Sequence, residues 1–231
     1  MVLGQSEGLN IREVFTKRKV LLVPLSEGQI GTEAAYLLGS LLVGALWHAT
    51  LQRSAIPADR RRPVFAYLDE FQSIVRVSND LADMLAKARG LGLGLILAHQ
   101  YIKQVPEQIR AAVLGTARNQ VFFQMDHDDA QIVGKRLAPV LTADDLIGLG
   151  AYEIAASLTV NGASRTPVTA RTVALPEPVR NPTELRAALA QQHGVSRAEV
   201  EAGLRTRTQP AGRAQRGTFG QVPTNQEGGD R

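Results

Sequence analysis

Two adjacent carboxylates, Asp69 and Glu70, close the apolar run Val64-Phe65-Ala66-Tyr67-Leu68, and a carboxamide, Gln100, closes a second run from Leu93 to Ala98, thirty residues after Glu70. Strands buried in a parallel sheet read as continuous apolar runs, and the carboxyl ends of such strands are where α/β sites lie. Two acids delivered there can divide one reaction. The first, Asp69, would hold a magnesium ion through water, and the second, Glu70, would polarise the water that attacks a γ-phosphate, as such paired acids do in phosphoryl transfer. The Gln100 carboxamide can donate to a phosphate oxygen and accept from a water, so its position can follow the state of a nucleotide. Arg89, eleven residues before Gln100, ends a helical stretch, where a cation complements the helix dipole. A strand also ends in acids simply because they are soluble, so Asp69-Glu70 takes its chemical meaning from the residues around it.

Those side chains need rigid elements to carry them, and the pattern supplies alternating ones. Lys19 to Leu25 is an apolar run after the basic turn Lys17-Arg18-Lys19 and is expected to form a strand buried on both faces. Tyr36, Leu37, Ser40, Leu41, Gly44 and Trp47 recur at helical spacing, which predicts a helix over Glu33 to Arg53. A polar, basic loop from Ser54 to Pro63 precedes the Asp69-Glu70 strand. A helix from about Ser78 to Arg89 and a strand from Leu91 to Ala98 follow. Helix Val105 to Leu114, strand Asn119 to Gln124 and helix Asp128 to Arg136 continue the alternation, which predicts βαβ crossovers and a mostly parallel sheet with flanking helices. Glu153 to Val160 and Thr166 to Val173 flank Asn161-Gly162 and read as a hairpin. Beyond Pro176 and Pro178, Thr183 to Gln192 and Ser196 to Leu204 read as two short helices with hydroxyl caps. From Arg205 the tail has almost no apolar residues and is expected to be disordered.

Composition sets the outer limits. The 231 residues are 44% apolar, enough for the core of one medium domain and an appendage, and the low aromatic share of 5% suits helices on a sheet, so the expected class is α/β. No cysteine is present, which excludes disulfides and thiolate metal sites. His48, His99, His127 and His193 have no metal-ligand spacing, so no metal site is expected from this chain's histidines. The net charge of +4 permits attraction to nucleic acid without requiring it. Lys103 and Arg110, near the Gln100 strand end, are candidate DNA-phosphate contacts, with a solvated helix surface as the plainer account. The segment 180–231, with eight arginines against five acids, is weakly basic. No apolar run reaches a membrane span, and no secretion signal opens the chain.

Tyr67-Leu-Asp-Glu-Phe71 and Lys87-Ala-Arg-Gly-Leu-Gly-Leu-Gly-Leu-Ile-Leu-Ala-His-Gln100, together with Val20-Leu-Leu-Val-Pro-Leu-Ser-Glu-Gly28, resemble the motor domain of type IV conjugative coupling proteins of the TraG/TraD class, related to the HerA and FtsK translocases. The resemblance covers about Ile11 to Pro178. It implies the C-terminal part of a RecA-like P-loop ATPase over residues 1–178, then a small helical segment at 179–204 and a basic tail at 205–231. It further implies a ring, usually a hexamer, that moves DNA with ATP and magnesium at the inner face of the cell membrane, in contact with relaxosome and type IV secretion components. By that resemblance Arg89 matches the arginine finger, which reaches a neighbour's γ-phosphate. Arg118, before the strand that the resemblance takes to close these motors, is a second candidate for interface work, with a structural role as the plainer account.

The family's phosphate-binding loop, Gly-x-x-x-x-Gly-Lys-Ser/Thr, has no match, since neither Gly90-Leu-Gly-Leu-Gly94 nor Gly28-Gln-Ile-Gly31 is followed by the lysine and hydroxyl. The expectation is therefore a truncated or split reading frame at Met1, inactive as an ATPase alone. Two alternatives stand beside it. One is a non-enzymatic interaction module that binds relaxosome or secretion partners, or a separately encoded P-loop half. The other is a RecA-like ATPase for another polymer.

Overall fold

The computed structural model describes residues 10–75 and 80–208. The expected disorder of the tail falls mostly outside these residues. Residues 10–176 form one compact unit, and residues from Glu177 onward belong to another.

The first unit opens with α1 (Arg12–Thr16), α2 (Glu27–Ile30) and the long α3 (Thr32–Leu51), which continues as a 3-10 turn over Gln52–Ala55. It then runs β1 (Val64–Leu68), α4 (Phe71–Val75), α5 (Asp80–Lys87), a 3-10 turn Ala88–Leu91 and β2 (Leu93–Leu97). Next come α6 (Glu107–Thr116), β3 (Gln120–Phe122), α7 (His127–Leu137), α8 (Ala143–Ile147), β4 (Glu153–Ser157), β5 (Thr159–Val160), β6 (Ala163–Ser164) and β7 (Val168–Arg171). The second unit contains α9 (Pro182–His193) and α10 (Arg197–Thr208). Asn181 caps α9 by accepting from Thr183 N at 2.9 Å, and Pro182 follows it at the first helical position, where its missing N–H costs nothing.

The fold is α/β with a small parallel sheet. β1 and β2 pair in parallel from Val64↔Leu93 to Leu68↔Leu97. The connection between them is a helical crossover, α4 and α5, as parallel pairing requires. Val64, Ala66 and Leu68 of β1, and Leu93, Leu95 and Leu97 of β2, turn inward. They pack on a core built from Val43 and Trp47 of α3, Phe71 and Ile74 of α4, Leu81 and Met84 of α5, and Ile109 of α6. The alternate residues Phe65 and Tyr67 lie on the other face and are 62% and 76% exposed.

Three expectations are corrected. The sheet is not mostly parallel, because β3 pairs antiparallel with β4, and β4 antiparallel with β7, in a sheet separate from β1 and β2. Alternation of strands and helices fixes element order but not pairing partner, and β3 finds its partner more than thirty residues downstream, beyond α7 and α8. A second core forms there around Ala130, Val133, Leu137, Leu146 and Ala155. Nor do residues 19–25 form a strand; Val20 and Leu22 are 85% and 79% exposed, and only Leu25 packs against the first core. An apolar run becomes a buried strand only beside a ladder partner, and none pairs with it among the described residues. Finally, the helical stretch Thr32–Ala55, with mean hydropathy 1.5, is long and apolar enough to cross a membrane by length and composition. In this fold it is the central helix of the first core, with Val43, Trp47 and Thr50 buried.

The hairpin stands as expected. Asn161 (φ 53) and Gly162 (φ 80) both adopt left-handed backbone and join β5 to β6, the arrangement that a two-residue hairpin turn requires.

Candidate active site

The ladder between β1 and β2 continues one step past the strands: Ala98 N donates to Leu68 O at 3.0 Å, and Phe71 N donates to Ala98 O at 3.1 Å. Both chain ends are thereby fixed side by side, which brings Asp69, Glu70 and Gln100 to one edge of the parallel pair. Glu70 itself has φ 46, a left-handed conformation uncommon for a residue with a side chain. Such strain persists only where neighbours hold it. Here Ser73 Oγ and Ser73 N donate to the Glu70 carbonyl at 2.6 and 3.0 Å, and Glu70 N donates to Asp69 Oδ1 at 3.1 Å.

The Glu70 carboxylate is gripped by two amides. Gln100 Nε2 donates to Oε1 at 2.6 Å, and Gln72 Nε2 donates to Oε2. The sequence brought out Glu70 and Gln100 but gave Gln72 no role. It reaches the carboxylate because the chain folds back after Glu70, a geometry that spacing alone does not encode. Gln72 is buried, and its Oε1 has no hydrogen-bond partner among the described residues.

Behind the edge, the half-buried His99 ring packs edge-on against Phe71, with ring centroids 5.3 Å apart. Burial lowers its pKa below the ordinary 6.5, and the nearby Asp129 carboxylate, the Tyr101 backbone and Glu70 offset part of that shift. Asp129, 2% exposed at the start of α7, accepts from Ile102 N through Oδ2 at 2.8 Å. Ile102 buries its side chain in the second core, whereas Val105 lies in the first. The loop that carries Gln100 is therefore bolted to both cores. Asp126 caps α7 by accepting from Asp129 N at 2.8 Å.

Arg89 is not part of this cluster. It sits exposed in the turn Ala88–Leu91, before β2, whereas Asp69, Glu70 and Gln100 follow the strands. A five-residue strand spans roughly 16 Å, and that length separates the two ends of the pair. Lys103 forms an ion pair with Asp128, which raises the lysine pKa and lowers that of the aspartate; Arg110 is half-buried on α6. Among the described residues no three His, Cys, Asp or Glu side chains cluster to hold a metal by themselves. An exposed Asp69 at a strand end suits a magnesium ion that keeps most of its waters and takes its other ligands from phosphates.

Residues 63–140, the stretch that carries Asp69, Glu70, Arg89 and Gln100, match the family model described as the TraM recognition site of TraD and TraG. The fold is similar to that of solved structures of a conjugative coupling protein. The unbound bacterial conjugative coupling protein TrwBdeltaN70 superposes with a TM-score of 0.54 at 16% identity, over 65% of this chain and 40% of that one. The plasmid coupling protein TrwB in complex with ADP and Mg2+ gives 0.54 at 17% identity, with the same shares. The chain thus spans about 40% of the length of these solved relatives. No curated protein sequence matches it.

Proposed function

We propose that this chain is the Walker B and sensor portion of a RecA-like coupling-protein motor, in which ATP hydrolysis moves DNA. Asp69 holds magnesium through water, Glu70 polarises the attacking water, and Gln100 reads the γ-phosphate. The carrying observation is the Glu70 carboxylate held between Gln100 and Gln72 at the carboxyl end of the parallel strands. An amide that already donates to the base can exchange that bond for a phosphate oxygen when nucleotide enters, which moves the base and the loop together. The ADP and magnesium of the TrwB complex support the choice of ligand.

In the same reading, residues 1–178 are the motor portion, 179–204 a small helical segment and 205–231 a basic tail. The chain contains no Gly-x-x-x-x-Gly-Lys-Ser/Thr loop to cradle phosphates, so it does not turn over ATP alone. The working assembly is a ring, a hexamer by family resemblance, at the inner face of the membrane, with DNA, relaxosome and secretion components as partners. Arg89 fits action on a neighbour's nucleotide, because its own Glu70 lies at the other end of the strands.

A second reading is a non-enzymatic module that docks on a partner. The exposed Phe65 and Tyr67 on the open face of the parallel pair favour it, since parallel sheets are ordinarily covered on both faces. ATP hydrolysis decides between the two. With a phosphate-binding half supplied in cis or in trans, the motor reading expects magnesium-dependent hydrolysis stimulated by DNA, reduced roughly 1,000-fold or more by Arg89→Ala. Rings that mix Arg89→Ala subunits with Glu70→Gln subunits would regain activity at some interfaces. Full activity in uniform Arg89→Ala rings would remove the finger role, and no hydrolysis in any combination would leave the docking module.

A further inference from the structure

At the opposite end of the parallel pair from Glu70, a cavity of about 640 Å³ opens between α1, the end of α3 and the loop before β1. Arg12, Arg53, Arg60 and Arg62 line it, with Phe15, Ala49 and Ile56 among the apolar walls. Four guanidinium groups around one cavity repel one another unless anions compensate them. The acids nearby do not. Glu13 is taken by Lys17 and Lys19, at 2.9 and 2.5 Å, which holds its pKa at about 2. Asp59 forms no ion pair among the described residues.

The arginines divide into a fixed frame and a free set. Arg53 is only 5% exposed; it donates to Gly92 O at 3.2 Å and to Arg62 O, and its guanidinium lies 4.9 Å from the centroid of the Phe15 ring. Burial, and the charge of Arg61 beside it, lower its pKa. Arg61, just outside the cavity lining, is spent on structure: it donates to Ile56 O at 2.8 Å, to Gly90 O at 2.6 Å and to Ser54 O at 3.3 Å. The side chains of Arg12, Arg60 and Arg62 have no hydrogen bond or ion pair among the described residues. A framed buried cation beside three unengaged forks is the donor set that phosphate oxygens accept in bidentate fashion.

We infer that this cavity is a binding site for a phosphate oxyanion, presented either by a free polyphosphate or by a nucleic-acid strand, with Arg60 and Arg62 as its principal contacts. The site is independent of the Glu70 edge and does not require the ATPase reading to hold. Its turn also carries Arg89, because Arg53 and Arg61 clasp Gly92 and Gly90 on either side of Leu91. An anion bound here would therefore firm the segment that presents Arg89.

The 231-residue chain is titrated at low salt with pyrophosphate by calorimetry, and with a fluorescein-labelled oligothymidylate by anisotropy. The double variant Arg60→Ala/Arg62→Ala is compared with a control of equal charge loss on the hairpin, Arg165→Ala/Arg171→Ala. The inference expects saturable binding that weakens about tenfold or more in the cavity variant and changes little in the control. Loss seen with pyrophosphate assigns a free polyphosphate; loss seen only with the oligonucleotide assigns a nucleic-acid strand. Absence of binding to both probes overturns the inference, as does equal weakening in cavity variant and control, the mark of diffuse attraction to a basic chain. Thermal melting of each variant confirms that the comparison is between folded proteins.

Discussion

Gln100 and Glu70, thirty residues apart in sequence, meet through a 2.6 Å bond from Nε2 to Oε1. Neither residue is held by its own segment alone. Glu70 is turned by Ser73 and gripped by Gln72, and the loop of Gln100 is pinned by Asp129 through Ile102 N. A displacement of α7 therefore reaches the carboxylate through two hydrogen bonds and the chain between them.

Asp129→Ala removes the acceptor of a buried N–H and should cost about 1–3 kcal/mol of stability. It should also release Gln100, so that the side-chain amide resonances of Gln100 move toward solvent-exposed values. Asp129→Asn keeps an oxygen for Ile102 N and should restore them. Heteronuclear NMR of the three proteins checks this; unchanged Gln100 resonances in a folded Asp129→Ala protein would show that the loop is held in another way.

The lowered pKa of His99 gives a pH dependence of defined sign. A histidine that ionises less readily when folded leaves the unfolded state with more bound protons once the pH falls below 6.5, so stability declines from there until the native imidazole also protonates. His99→Phe keeps an aromatic ring against Phe71 and removes the titration. Melting temperatures at pH 7.5 and pH 5.5 should differ less in the variant than in the parent; an equal difference would place the titration elsewhere.

Two glycines should respond oppositely to alanine. A Cβ on Gly134 in α7 would lie 2.8 Å from Ala143 N, and a backbone atom cannot step aside, so Gly134→Ala should destabilise by roughly 1–3 kcal/mol. Gly44, in the middle of α3, has nothing within 4 Å of that position, and Gly44→Ala should stabilise by about 0.5–1 kcal/mol. Urea denaturation of both variants reads the two signs.

Much of this arrangement was legible before any coordinates. Val64 to Leu68 and Leu93 to Leu97 announced themselves as strands because each is a short apolar run bounded by polar or glycine residues, and their parallel pairing follows from the helix between them. The helix over Thr32–Leu51 was equally plain from its apolar spacing. Partner choice was not legible. Residues 19–25 have the composition of a buried strand, but a strand is defined by its neighbour, and β3 joined a strand that lies far along the chain. At the site, the types and spacing of Asp69, Glu70 and Gln100 were readable, whereas Gln72 and Asp129 act through folded-back geometry that spacing alone does not encode.

The central claim is that Glu70 activates water for attack on a γ-phosphate. It is tested by ATP hydrolysis in the motor assembled from this chain and a phosphate-binding half, with Glu70→Gln compared against the parent and ATP binding measured in parallel. The account predicts a fall in kcat of about 100-fold or more with ATP still bound, the loss expected when a general base becomes a neutral amide of the same shape. Hydrolysis at the parental rate in Glu70→Gln would contradict it.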